Sequence, residues 1–282
     1  MFINATMIVL GKQSPIRRLE KYGGNNMKYT NRLMASLVAA VFILSLFSGF
    51  AGAQTTEELN IKTRDYLIRA IDQTVSHLEI LKYRVELREN KGIIPFDASG
   101  NIEAHVTQLE AIRVKVQQAE TAKDFIAIHS ELKDLWVKIR LKTRYYVGIV
   151  LNYRIDGFLS KADNVSIKMD EAITNLDDKG IDTTKLKAEA AKFDSIVDDA
   201  KQNQQKTDDL FAVHNGFASD STVSDVDGAR EFLRQADGMQ RDTVKKLKDA
   251  ARQLKDFVKD FRKLARGMVT IEGSSTETLS GN

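Results

Sequence analysis

The chain has no cysteine, only two prolines and a single tryptophan in 282 residues. Without cysteine there is no disulfide, no thiolate nucleophile and no thiolate zinc site. The prolines, Pro15 and Pro95, leave long stretches in which nothing prevents helix propagation. Histidine is scarce as well. None of His77, His105, His129 and His214 stands three residues after a glutamate, and H-E-x-x-H does not occur, so neither a di-metal bundle site nor a metalloprotease helix is expected. No G-x-S-x-G turn and no glycine-rich phosphate loop occur. Adjacent carboxylates at Asp198-Asp199 and Asp208-Asp209 point in different directions on a helix and read as solvated surface. The run Ser224-Asp-Val-Asp-Gly228 lacks the ligands of a calcium loop, because Val223 and Arg234 stand where acids are needed. No catalytic residue, metal ligand or cofactor is therefore expected, and the chain reads as a non-enzyme.

What is present begins with a leader. Met27 opens a basic segment with Lys28 and Arg32, followed by an apolar run from Leu33 to Phe50 and the small residues Ala51-Gly52-Ala53. This is the layout of a secretory signal peptide with an A-x-A cut after Ala53, so that Gln54 becomes the first mature residue. The same run is long enough to span a bilayer if it is kept as an anchor. Gly23-Gly24-Asn25-Asn26 can be encoded by a ribosome-binding run, which points to Met27 as the start and to residues 1–26 as a misannotated extension. Residues 1–53 carry six basic residues and one acidic residue, so without them the net charge changes from +3 to −2. The basicity belongs to the leader and gives no footprint for nucleic acid.

The remainder reads as all-α, an elongated antiparallel helical bundle or coiled coil of about five helices. A first helix is expected from about Thr56 to Lys91, with Thr55 and Glu58 as a capping box and Gly92 as terminator. A short second helix, about Ile102–Ala119, follows the loop around Pro95. The third, about Ala122–Asp178, carries Phe125, Ile128, Leu132, Leu135 and Ile139 at heptad spacing. Lys142 interrupts that set, and Gly157 marks the place for a kink. At about 1.5 Å per residue this helix is roughly 85 Å long, so two bundles are expected to share it: residues 54–157 and residues 158–268. The fourth helix is expected to be capped by Asp182 or Thr183 and to end near Val213. The fifth, about Ser224–Met268, has the cleanest heptads, including Phe232, Met239, Thr243, Leu247 and Phe257. Residues 269–282 read as a disordered tail.

Between the third and fourth helices the sequence runs Leu176-Asp-Asp-Lys-Gly180-Ile-Asp182-Thr183-Thr-Lys-Leu186. This resembles an L-x-x-x-G-I-D-T-x-x-L helical hairpin that recurs in uncharacterised secreted prokaryotic proteins. The resemblance covers about Lys161–Phe211. It implies a hairpin and a cell-envelope setting, and it transfers no catalytic residue.

The candidate partner or ligand surface is aromatic: Trp136, Tyr145, Tyr146 and Tyr153, with Arg144 and Arg154 nearby. A packed core edged by arginine stems is the competing reading of the same spacing. The basic end of the fifth helix, from Lys245 to Arg266, is interspersed with Asp249, Asp256 and Asp260, as on a solvated bundle face. Asn164-Val165-Ser166 is the only glycosylation sequon after the leader. Together these features point to an exported structural or interaction module, secreted, periplasmic or on the cell surface. Its expected partner is another protein, a second copy or an envelope polymer, with membrane contact only through a retained leader. The alternative is an exported binding module, chaperone-like or holding a small apolar ligand near Trp136 and Tyr146.

Overall fold

A computed structural model describes residues 56–275. These residues form five helices and no strand: α1 (Thr56–Glu89), α2 (Ala98–Gln118), α3 (Ala122–Asp177), α4 (Thr184–Val213) and α5 (Val226–Ser275). The leader, the Ala51, Ala53 and Gln54 cleavage positions and Thr55 lie outside the described residues. Among the described residues no helix is long and apolar enough to cross a membrane.

Packing divides the chain between Tyr146 and Val147, inside α3, rather than at Gly157. Helix α3 continues without interruption through Gly157, an exposed residue at which a side chain would meet nothing within 4 Å. One unit runs to Tyr146 and includes the loop Ala218–Val226; the other comprises Val147–Phe217 and the chain from Asp227 onward.

In the first unit α1 and α2 form an antiparallel hairpin. Arg64 donates to the carbonyl of Ala119 (2.6 Å), Arg113 lies 3.1 Å from Asp72, and Lys82 pairs with Glu103 at 2.5 Å. Partners thus move backwards along α2 as they move forwards along α1. Leu67, Ile71, Leu78 and Val85 supply the buried stripe of α1, and Ile102, Leu109, Ile112 and Val116 that of α2. These 3-and-4 spacings place apolar groups on one helix face, and their burial supplies the main stabilisation. Helix α3 runs antiparallel to α2, with Lys115 on Glu131 (2.7 Å) near one end and Lys142 on Asn101 (3.1 Å) towards the other.

Helix α2 begins at Ala98, ahead of the expected Ile102. Asp97 accepts from the Gly100 N–H (2.7 Å), and Glu89 accepts from both the N–H and the hydroxyl of Ser99 (2.8 and 2.6 Å). Two carboxylates thus satisfy N–H groups that would otherwise keep this segment in a loop. Helix α5 extends past the expected Met268 to Ser275. Once a helix is nucleated, each added residue needs only one further bond, so no apolar stripe is required there.

The second unit packs α3, α4 and α5. Met169, Ile173 and Leu176 meet Leu186, Ala190, Phe193 and Val197, closed by Ala250 and Phe257. Ion pairs Lys185–Asp260 (2.5 Å) and Lys246–Asp199 (3.3 Å) align α4 antiparallel to α5, so part of the basic α5 face serves helix pairing. A polar layer crosses this core. Gln204 donates to Asn152 (2.9 Å) and Asp208 (3.0 Å), and Gln240 donates to the Gly148 carbonyl (2.9 Å). Such a layer specifies which turns face each other. It also places Gln240 in the buried position that the heptad series assigned to Met239, since a straight helix drifts out of a seven-residue repeat.

The α3–α4 turn is the hairpin anticipated from the sequence. Gly180 has φ +73°, the Ile181 N–H donates to the Leu176 carbonyl (3.1 Å), and the Gly180 N–H donates to that of Asp177 (2.8 Å). Ile181 packs on the cluster containing Leu176. This is a Schellman terminator with its apolar clasp. Gly92 (φ +66°) ends α1 with the same two bonds, Ile93 to Arg88 and Gly92 to Glu89. A methyl on Gly180 would touch nothing within 4 Å, so Gly180→Ala costs only the left-handed backbone penalty, about 1 kcal/mol. Urea denaturation should show that loss, and an unchanged midpoint would refute it.

Candidate functional site

Four residues of α2 (Asn101, His105, Gln108 and Ile112) recur at spacings of four, three and four. Glu131, Leu135, Lys138 and Lys142 repeat the same spacing on α3. Each set therefore lies along one helix face. The two faces, with Thr222 and Val223 of the Ala218–Val226 loop, line a cleft of about 530 Å³ in the first unit. That volume is in the range of small-molecule sites.

The loop is anchored to the helices by a polar cluster. Asn101 donates to the Asp220 carbonyl (2.8 Å) and also to the Asp97 carbonyl (2.8 Å). Ser221 is fully buried at φ +68°, and its hydroxyl is 3.0 Å from the Tyr146 hydroxyl. Asp220 accepts from the N–H and hydroxyl of Thr222 (2.8 and 2.9 Å), a turn in which an aspartate closes on its own backbone. These bonds hold its carboxyl below the usual range.

Two ionisable side chains on the cleft wall are buried. Lys142 is 6% exposed and His105 7%. The Lys142 ammonium donates to Asn101 Oδ1 (3.1 Å), and among the described residues it has no carboxylate within 4.0 Å. Burial pushes its pKa down, Asp220 pulls it up, and Lys138 adds to the lowering. His105 Nδ1 is 3.2 Å from Gln108 Oε1, while its Nε2 is buried without a partner. Burial also lowers the His105 pKa, helped by Lys142 and Lys138 and opposed by the Gln108 bond.

That shift has a consequence for stability. A histidine whose folded pKa lies below its unfolded value of about 6.5 binds fewer protons when folded, so its contribution is complete above that value and falls as the pH drops below it. Stability should decline as the pH falls below about 6.5, by at most about 1.4 kcal/mol per pH unit for this group. His105→Gln should flatten the profile. His129, lowered by burial and Lys133, supplies a residual slope. A variant with the wild-type profile would show that His105 is protonated without cost.

The four aromatic residues named from the sequence do not form one surface. Trp136, Tyr145 and Tyr146 are buried in the first unit, whereas Tyr153 belongs to the second and is 56% exposed. Tyr145 stacks on Phe96 (5.9 Å, 6°) and Tyr146 tilts against the same ring (5.9 Å, 43°). Burial raises both phenols to about 12. Trp136 keeps a buried Nε1 without a partner. The cleft residues Asn101, Gln108 and Lys142 were not identified from the sequence as a site. The available signal was Lys142 itself, a cation within an otherwise apolar heptad set. Among the described residues no three histidine, aspartate or glutamate side chains are grouped to hold a metal. Compared with protein-family models, curated proteins and solved structures, the chain matches none.

Proposed function

We propose that this is an exported, non-catalytic helical-bundle protein of the cell envelope or extracellular space that works by pairing its helices with a second copy of itself. The observation that carries the reading is the outer face of α1. Ile80, Tyr83 and Leu87 are 52%, 64% and 43% exposed, on the side of the helix opposite the buried Leu78 and Val85. Their spacing of three and four is that of a coiled-coil seam. One flank carries Glu79 and Glu86, and the other carries His77 and Arg84. In a parallel pair of α1 helices, Glu79 faces Arg84 of a second copy, five residues further on, and the apolar side chains meet across the axis. An antiparallel pair would set acidic flank against acidic flank, so the charges favour the parallel arrangement. Export is supported by the Met27–Gln54 leader pattern in the sequence.

The absence of cysteine supplies a clean test. Oxidation of Leu87→Cys, or separately of Ile80→Cys, should give a disulfide-linked dimer, because equivalent seam positions face each other at bridging distance. Ile126→Cys, on an exposed site of α3, should not. With so short a seam the wild-type dimer should dissociate in the micromolar range or weaker, on the order of 10 µM. Tyr83→Glu should abolish it in light scattering. A monomer at about 100 µM with no cross-linking at either seam position would reject the proposal.

A further inference from the structure

We infer that the cleft of the first unit binds a small organic monocarboxylate, its carboxylate seated on the Lys142 ammonium and its apolar body against Ile112, Leu135 and Val223. This goes beyond helix pairing and uses a different face of the protein. An ammonium has three hydrogens to donate. Lys142 gives one to Asn101 Oδ1, and among the described residues the other two have no acceptor. A lysine that is 6% exposed and that, among the described residues, has no carboxylate within 4.0 Å of its ammonium is a costly thing to build into a bundle. An apolar residue there would complete the heptad set of α3, so the lysine works against packing. A ligand carboxylate supplies the missing charge and acceptors, in a charge-assisted bond stronger than one between neutral groups.

The cleft also limits the ligand's charge and character. One buried cation neutralises one negative charge. Glu131 and Asp134 line the same cleft, and Glu131 is already held by Lys115 at 2.7 and 2.8 Å. A second negative charge would meet these carboxylates, so a phosphate dianion fits poorly. Lys138 at the exposed edge draws an anion inward. The bare Nε2 of His105, buried on the same wall, provides a second polar contact.

The test uses the full chain and octanoate, which carries one carboxylate and an apolar tail. 1-Octanol keeps the tail without the charge, and inorganic phosphate keeps charge without the tail. Octanoate should raise the melting temperature in proportion to its occupancy and bind by calorimetry, while octanol and phosphate should not. Lys142→Met should melt at or above the wild-type temperature and bind octanoate at least about tenfold more weakly. The wild-type protein gives an independent reading by NMR. Octanoate should move the ring resonances of His105 and leave those of His77, exposed on α1, in place. No response to octanoate, an equal response to octanol, undiminished binding by Lys142→Met, or an unmoved His105 would each overturn the assignment.

Discussion

Gly216→Ala should lose about 3–5 kcal/mol of stability in urea denaturation, far more than a surface methyl ordinarily costs. Gly216 lies in the turn after α4 with φ +82°. A Cβ built there falls 2.0 Å from the backbone nitrogen of Ala229 and 2.6 Å from its Cα. These are main-chain atoms in the first turns of α5, so no side-chain rotation relieves the clash. The left-handed backbone adds about 1 kcal/mol to the steric penalty. Gly180→Ala is the control, with the same backbone penalty and open space around the new methyl. The difference between the two variants therefore measures how closely the turn approaches α5. Equal losses would show that Gly216 is required for its conformation alone.

Phe232→Ala should cost about 3–5 kcal/mol, as large core deletions do. Phe232 is 2% exposed and sits between two rings. Phe211 meets it edge-on at 5.3 Å and 81°, and Phe217 at 5.8 Å and 73°. Truncation leaves a ring-sized cavity and removes two aromatic pairs worth about 0.5–1.5 kcal/mol each beyond their buried area. Phe211 has little freedom to collapse into the space. It is pressed against Gly148, where a Cβ would lie 2.9 Å from its ring. Phe232→Leu, which keeps much of the volume, should lose less than half as much. Circular dichroism is the appropriate probe, because the single tryptophan, Trp136, reports on the first unit. A loss below about 1 kcal/mol for Phe232→Ala would mean that the three rings do not form a packed group.

Local signals were the most legible. Gly92 read as the end of the first helix and Gly180 as a left-handed terminator; both adopt a backbone that glycine takes cheaply, and both carry the two bonds of the motif. The start of α2 was misplaced because its caps are partly remote. Glu89 reaches Ser99 from the end of the preceding helix, and no window of sequence displays that contact. The aromatic candidates illustrate a different limit. Tyr145 and Tyr153 look equivalent as tyrosines on one amphipathic helix, yet one is 5% exposed and the other 56%. Which face of α3 is covered changes where the packing passes from one unit to the other, and residue type does not record that change.

Periodicity, the two terminators and the near absence of proline determined by themselves that this chain is a set of long antiparallel helices. These are properties of neighbours three, four and seven residues apart, which a linear sequence displays directly. Only the tertiary structure decided what the faces do. Asn101, Lys142, Tyr146 and the loop at Asp220–Ser221 are separated by tens of residues, and packing alone joins them into one polar cluster. The sequence showed Lys142 as a break in an apolar pattern. Its meaning as a buried cation on a cleft wall depended on which groups came within 4 Å, and that is set by the register of whole helices against one another.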